Sequence, residues 1–227
     1  MRPLIIVSPS INETEDEIKL SRAYCKAVYS AGGIAFTSDY GNARDIAERA
    51  DGILFAGGGD IEPALTGDEA DPSGHGQISR ARDAFEFELL RLAMEKNLPV
   101  LGICRGMQVI GAVMGAHIIQ HMEGHMQDRP KTQTYHSVKI ENGSLLKSIT
   151  NMDSLEVNSF HHQAVGEGFQ GLVSAVSDDG FIEAVEACGK KFVLGVQWHP
   201  ELLCSIEEHF KIFMAFIDAA GRYKGCR

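Results

Sequence analysis

The chain has 227 residues, 44% of them apolar, with five cysteines and a formal net charge of −10. That length holds one large α/β domain or two small ones. The acidic balance, with no basic stripe, speaks against nucleic acid as the main partner, and no apolar run approaches the ~20 residues of a membrane span.

Leu4 to Val7 reads as the first strand, since the N-terminal apolar run is too short for a signal peptide. Asn12 to Asp16 offers capping residues for a helix with the stripe Ile18, Leu20, Ala23, Tyr24, Ala27 and Val28, closed by Gly32-Gly33. Ile34 to Thr37 is a second strand, Asn42 to Ala50 a short helix and Gly52 to Phe55 a third strand. This βαβαβ order predicts a parallel sheet with helices on both faces.

Ala56-Gly57-Gly58-Gly59-Asp60 follows the third strand. Three glycines at the C-terminal end of a parallel strand let the backbone approach a ligand closely, and their N–H groups can form an anion nest or oxyanion hole. The plainer reading is a flexible turn; no Gly-Lys-Ser/Thr follows to make a phosphate loop. Residues 64–80 read as a surface loop. Arg82 to Lys96 reads as an amphipathic helix, with Phe85, Leu89, Leu92 and Ala93 inward and Asp83, Glu86, Glu88, Arg91 and Glu95 on a solvated face.

Val100 to Ile103 is a short buried strand, Cys104 follows at once, and Arg105-Gly106-Met107-Gln108 opens a helix that ends near Gly115. Gly102 and Gly106 stand two residues either side of the cysteine, the layout of a nucleophile elbow. The helix directs its positive end at the sulfur and favours the thiolate. Taken alone, a buried structural cysteine explains the same residues equally well. Cys25, Cys188, Cys204 and Cys226 are scattered, with no Cys-x-x-Cys, and read as inert thiols in a reducing cytoplasm.

His117 to Gln120 continues as a strand, after which the pattern turns antiparallel. Ser137 to Ile140, Leu155 to Asn158, Leu172 to Val176, Phe181 to Val185 and Phe192 to Gln197 are short strands, with a hairpin at Asp179-Gly180. Ser205 to Ala219 closes the chain as a helix with the stripe Ile206, Phe210, Phe213, Met214 and Ile217. One domain spans residues 1–227, an antiparallel excursion set in a mostly parallel sheet. His117, His121 and His125 lie four apart, but the spacing is not His-Glu-x-x-His, and Gly115, Gly124 and Ile118-Ile119 oppose a helix; no metal site is expected there.

Gly195-Val196-Gln197-Trp198-His199-Pro200-Glu201 ends the last strand. The proline fixes the backbone between His199 and Glu201, so a carboxylate can hold one imidazole nitrogen while the other faces a thiol: nucleophile, base and orienter. A lone His-x-Glu is weak; joined to the elbow and the triple glycine it is strong, since all three sit at strand C-termini where α/β sites form.

Together with Arg82-Asp83, Val157-Asn158-Ser159-Phe160-His161-His162-Gln163 and Asp179-Gly180-Phe181-Ile182-Glu183-Ala184, these motifs resemble the class I glutamine amidotransferase-like superfamily. Within it they are most similar to the γ-glutamyl hydrolase branch typified by γ-glutamyl-γ-aminobutyrate hydrolases. The expected fold is a flavodoxin-like three-layer α/β/α sandwich. The resemblance implies Cys104 as nucleophile, His199 as base, Glu201 as orienter, and N–H groups at Gly59 and Arg105 as the oxyanion hole. Gly57 and Gly58 would lie against the substrate, with Gln108 and the Phe160-His161 region holding its α-amino acid end. Ala116 replaces a usual second glycine after Gly115, and Gln120-His121 replaces a usual Gln-Asp. The implied activity is hydrolysis of a γ-glutamyl amide without cofactor, on a small-molecule substrate, with homo-oligomerisation left open. A glutaminase subunit feeding ammonia to a synthetase is the alternative; the complete Cys, His and Glu set counts against an inactive binding protein.

Overall fold

The apolar runs of the first half assemble as a parallel sheet in this computed structural model, which describes residues 1–12, 17–69 and 76–226. In chain order its strands are Leu4–Ser8 (β1), Ser10–Asn12 (β2), Glu17–Lys19 (β3), Ile34–Phe36 (β4), Gly52–Phe55 (β5), Val100–Ile103 (β6), Ile118–Ile119 (β7), His136–Ile140 (β8), Ser154–Val157 (β9), Ala164–Val165 (β10), Leu172–Ser177 (β11), Ile182–Glu186 (β12) and Val193–Val196 (β13). The α-helices are Arg22–Ser30 (α1), Ala43–Arg49 (α2), Arg80–Glu95 (α3), Arg105–Val113 (α4), Leu145–Thr150 (α5) and Glu207–Gly225 (α6).

The main sheet runs β4-β1-β5-β6-β13-β12-β11-β8-β9. Its first five strands are mutually parallel, and from β13 onward every neighbour is antiparallel. The short β7 and β10 pair off the path beside β12, and β2 pairs with β3 as a separate ribbon. The fold is a three-layer α/β sandwich with a mixed, mostly parallel sheet, as the element order predicts.

Alternation builds both cores, because successive side chains of a strand point to opposite faces. Ile5, Val7, Leu54, Leu101, Ile103, Leu194 and Val196 meet α1, α5 and α6 on one face. Ile6, Ile53, Phe55, Val100 and Val193 meet α2, α3 and α4 on the other. Each fully buried large side chain here, such as Phe216 or Leu89, stabilises the fold by about 1.5–3 kcal/mol.

Several element boundaries differ from the sequence expectation. Helix α1 starts only at Arg22, because the Ser21 hydroxyl caps it by accepting the Ala23 N–H at 3.3 Å; Ile18 lies in β3. The expected cap at residues 13–16 falls outside the described residues, as do residues 70–75 of the expected loop. Ser79 caps α3 two residues earlier than anticipated. Along α6 the buried stripe is His209, Ile212, Phe213, Phe216, Ile217, Ala219 and Ala220, while Met214 is exposed and Ile206 precedes the helix. Helix α5 was not foreseen; Ser144 caps it, and its last turn ends at Asn151 in the left-handed region. The Asp179-Gly180 hairpin is present, with Gly180 at φ 89°.

The largest correction is on α3. Asp83 and Glu86, expected on its solvated face, are fully buried. They pair with Arg105, and Glu86 also accepts from Arg82 Nε at 2.9 Å. Arg82 stands one turn before Glu86 on the same helix, whereas Arg105 comes from the start of α4, so two carboxylates that look solvated locally are neutralised in part by a charge distant in the chain.

Candidate active site

The C-terminal ends of β5, β6 and β13 are adjacent, with Phe55 opposite Gly102 and Ile103 opposite Val196. They bring Gly57, Cys104 and His199 to one place. Cys104 has φ 54° and ψ −108°, a conformation that costs a non-glycine residue about 1–3 kcal/mol and is held by its surroundings. A Cβ at Gly102 would lie 2.5 Å from the Gly106 carbonyl oxygen, and one at Gly106 would lie 2.1 Å from that of Phe55. Only glycine closes this turn. The Cys104 N–H donates to the Val196 carbonyl at 2.8 Å, and its own carbonyl accepts from Met107 and Gln108 at the start of α4.

His199 follows β13, and Pro200–Leu202 forms a 3₁₀ turn that swings Glu201 back beneath it. Nδ1 of His199 lies 2.7 Å from Glu201 Oε1, so it carries the proton and donates to the carboxylate. The ring and the Cys104 side chain converge beside Gly57. Burial opposes charge on His199, but the Glu201 charge and the Cys104 side chain outweigh it and raise its pKa to about 10. Gly57 faces this pair: a Cβ there would sit 2.9 Å from His199 Cε1, 3.0 Å from the Tyr24 hydroxyl and 3.6 Å from Cys104 Cβ.

The loop after β5 is fixed by its carbonyls. Arg82 Nη2 donates to Ala56 at 2.9 Å and to Gly57 at 3.2 Å, and Nη1 donates to the Ser10 hydroxyl at 2.6 Å. Among the described residues, no hydrogen bond engages the N–H groups of Gly58, Gly59 or Arg105. The Arg105 side chain turns into α3, leaving its N–H at the elbow.

A family model described as peptidase C26 matches residues 6–201. The chain belongs to the peptidase C26 family. It thereby falls in the class I glutamine amidotransferase-like superfamily. A Mycobacterium tuberculosis protein provisionally named a glutamine amidotransferase is 36% identical over 213 residues, covering 89% of this chain and 68% of that protein. A γ-glutamyl-γ-aminobutyrate hydrolase of Escherichia coli K12 is 30% identical over 203 residues, covering 80% and 78%. In fold, the glutaminase domain of Trypanosoma brucei CTPS, solved with acivicin, aligns with a TM-score of 0.67 at 17% identity, covering 97% of this chain and 94% of that one.

Other anticipated residues of this peptidase C26 member are placed as follows. Gln108 is buried, and its Nε2 donates to the Gln163 carbonyl at 3.2 Å and to Gln197 Oε1 at 3.3 Å. The Phe160 ring meets the His199 ring edge-on at 6.1 Å. His161 turns its nitrogens to the Gln163 carbonyl and to His125. The three histidines spaced four apart are separated: His117 pairs with Asp68, His121 lies against His162, and His125 joins His161.

Two residues with evident positioning contacts escaped the sequence reading. Asn158 clamps the backbone of His199 in both directions, accepting its N–H at 2.8 Å and donating to its carbonyl at 3.2 Å. Its signal was its place in the Val157 to Gln163 stretch. Tyr24 sat in a helical stripe that reads only as core. Its hydroxyl accepts the Gly57 N–H at 3.0 Å. Burial, then the Glu201 charge, hold the phenol protonated well above the usual tyrosine range. Among the other thiols, Cys204 is pushed up to about 11 by burial and by Glu201.

Proposed function

We propose that this protein hydrolyses a γ-glutamyl amide through a γ-glutamyl thioester on Cys104. The observation that carries the reading is His199 held by Glu201 and facing, with a strained, elbow-borne Cys104, the same point beside Gly57. The Cys104 sulfur attacks the γ-carbonyl carbon, and the N–H groups of Gly59 and Arg105 receive the oxyanion. As the C–N bond breaks, His199 gives its proton to the departing amine. Water then attacks the thioester, His199 takes a proton from it, and glutamate leaves with the sulfur released. No cofactor enters these steps. Gly57 and Gly58 line the approach, Gln108 and the Phe160-His161 segment hold the amino acid end, and the whole chain, residues 1–227, serves this one site.

A cleft of about 480 Å³ begins at Gly57 and is lined by Ser10, Lys19, Leu20, Ser21 and Tyr24. It exceeds what ammonia needs, which favours a substituted amine as leaving group over glutamine's own. The purified protein alone is therefore expected to release glutamate from γ-glutamyl-γ-aminobutyrate with kcat/KM roughly a hundredfold above that for glutamine, equivalent to about 3 kcal/mol of transition-state binding. Inactivity on every γ-glutamyl-amine, with glutaminase activity arising only beside a synthetase, supports the ammonia-donating alternative instead. A thiol-alkylating glutamine analogue is expected to add mass only to the peptide carrying Cys104; mass on Cys25 or Cys226 overturns the assignment.

A further inference from the structure

Two stretches that the proposed chemistry uses only in part, Val157 to Gln163 and Asp179 to Ala184, converge on one buried group. Glu183 on β12 is fully buried, and His125 and His161 are nearly so. Around Glu183 Oε1 stand His125 Nδ1 at 3.2 Å, His161 Nε2 at 3.4 Å and His136 Nε2 at 3.6 Å, and His125 Nδ1 lies 3.1 Å from His161 Nε2. The outward nitrogen of each ring meets an oxygen: His125 Nε2 faces Asp179 Oδ2 at 3.0 Å, His161 Nδ1 the Gln163 carbonyl at 3.0 Å, and His136 Nδ1 the Ser137 carbonyl at 3.3 Å.

Those acceptors fix the tautomers. A neutral imidazole carries one N–H, and here each outward nitrogen has the use for it, so the inward nitrogens present lone pairs. Three lone pairs aimed at a carboxylate repel one another unless a cation lies among them. A single added proton bridges only two of these atoms. Among the described residues, neither Glu183 oxygen nor His136 Nε2 has a hydrogen bond of normal geometry. The spacings are those of ligands: four donors placed tetrahedrally 2.0–2.1 Å from zinc stand about 3.3–3.4 Å apart.

We propose that His125, His161 and Glu183 hold a zinc ion. The donor set is two imidazoles and one carboxylate, which suits zinc, with the fourth position left to water, and the burial of all three ligands keeps the ion away from bulk solvent. It ties β12 to the segments bearing His125 and His161. Phe160, against the His199 ring, is thereby set one residue from the metal. Asp179 and the Gln163 carbonyl act behind the ligands, orienting them.

The test uses the untagged full-length chain, stripped with a chelator and titrated with zinc chloride against a chromogenic zinc indicator. Uptake of about one equivalent is expected, with a rise in Tm that the chelator reverses. Cobalt(II) in place of zinc is expected to give the visible absorption of a tetrahedral site. Glu183→Gln and His161→Gln, each verified as folded by circular dichroism, are expected to weaken zinc binding roughly a hundredfold or more. His117→Ala and His121→Ala are expected to bind as the parent does. A parent chain that takes up no zinc, or the same uptake in Glu183→Gln and His161→Gln as in the parent, overturns the proposal.

Discussion

At His199 two neighbours set one proton. A histidine whose pKa rises on folding from 6.5 to about 10 contributes stability that is complete below the lower value and is lost as pH climbs through the upper one. In the proposed mechanism the same proton passes to the departing amine. Under the proposed mechanism kcat/KM is therefore expected to hold through neutral pH and fall near pH 10. Glu201→Gln keeps an acceptor for Nδ1 but removes the charge, so the fall is expected to begin at lower pH, with a smaller loss of rate than in His199→Ala. A pH–rate profile of the variant that overlays the parent's counts against Glu201 as orienter. Asn158 acts on His199 through the backbone. Asn158→Ala leaves the His199 N–H without its partner, a cost of about 1–3 kcal/mol at most, while the His199 carbonyl keeps the Leu202 N–H at 3.1 Å. Lower Tm and lower kcat, with KM little changed, are the expected readings.

Helix α3 and the elbow form one electrostatic unit. Arg82, Asp83, Glu86 and Arg105 carry two positive and two negative charges, all buried. Burial pushes the Glu86 carboxyl up, but Arg105 and Arg82 overcome this and hold it below the usual range. Removing one member strands its partners. Arg105→Met is thus expected to destabilise the protein by about 3–5 kcal/mol in denaturant unfolding, well beyond the loss of its own contacts. A change under 1 kcal/mol contradicts a tightly coupled network. This unit also marks the limit of sequence reading. The elbow was legible because its signal is local: Gly102, Cys104 and Gly106 span five positions, and the geometry they demand is steric. The pairing of Asp83 and Glu86 with Arg105 was not, since charges three apart on a helix look the same whether water or a distant guanidinium meets them. Likewise His125, His136, His161 and Glu183 lie on separate segments, and only the antiparallel half of the sheet gathers them. The α1 boundary moved because Ser21, a single capping hydroxyl, outweighed the apolar periodicity of Ile18 and Leu20.

The sheet joins two halves of opposite habit along β13, which lies parallel to β6 on one side and antiparallel to β12 on the other. Cys104 and His199 thus stand on hydrogen-bonded neighbours, and Ile103 is in register with Val196 just before them. The Cys104 N–H closes this seam by donating to Val196 at 2.8 Å. Its access to solvent deuterium is consequently limited by opening of the central sheet, because both flanking strands are buried on both faces. The Cys104 amide is expected to exchange among the slowest in the protein, with an opening free energy close to that of global unfolding. The N-terminal ribbon of β2 and β3, a two-stranded sheet separate from the main one, is expected to exchange orders of magnitude faster. Deuterium uptake followed by mass spectrometry on peptides spanning 100–108 and 8–20 makes the comparison. Fast uptake at Cys104 would mean that the seam opens independently of the fold, and that Cys104 and His199 can part while the rest of the protein stays intact.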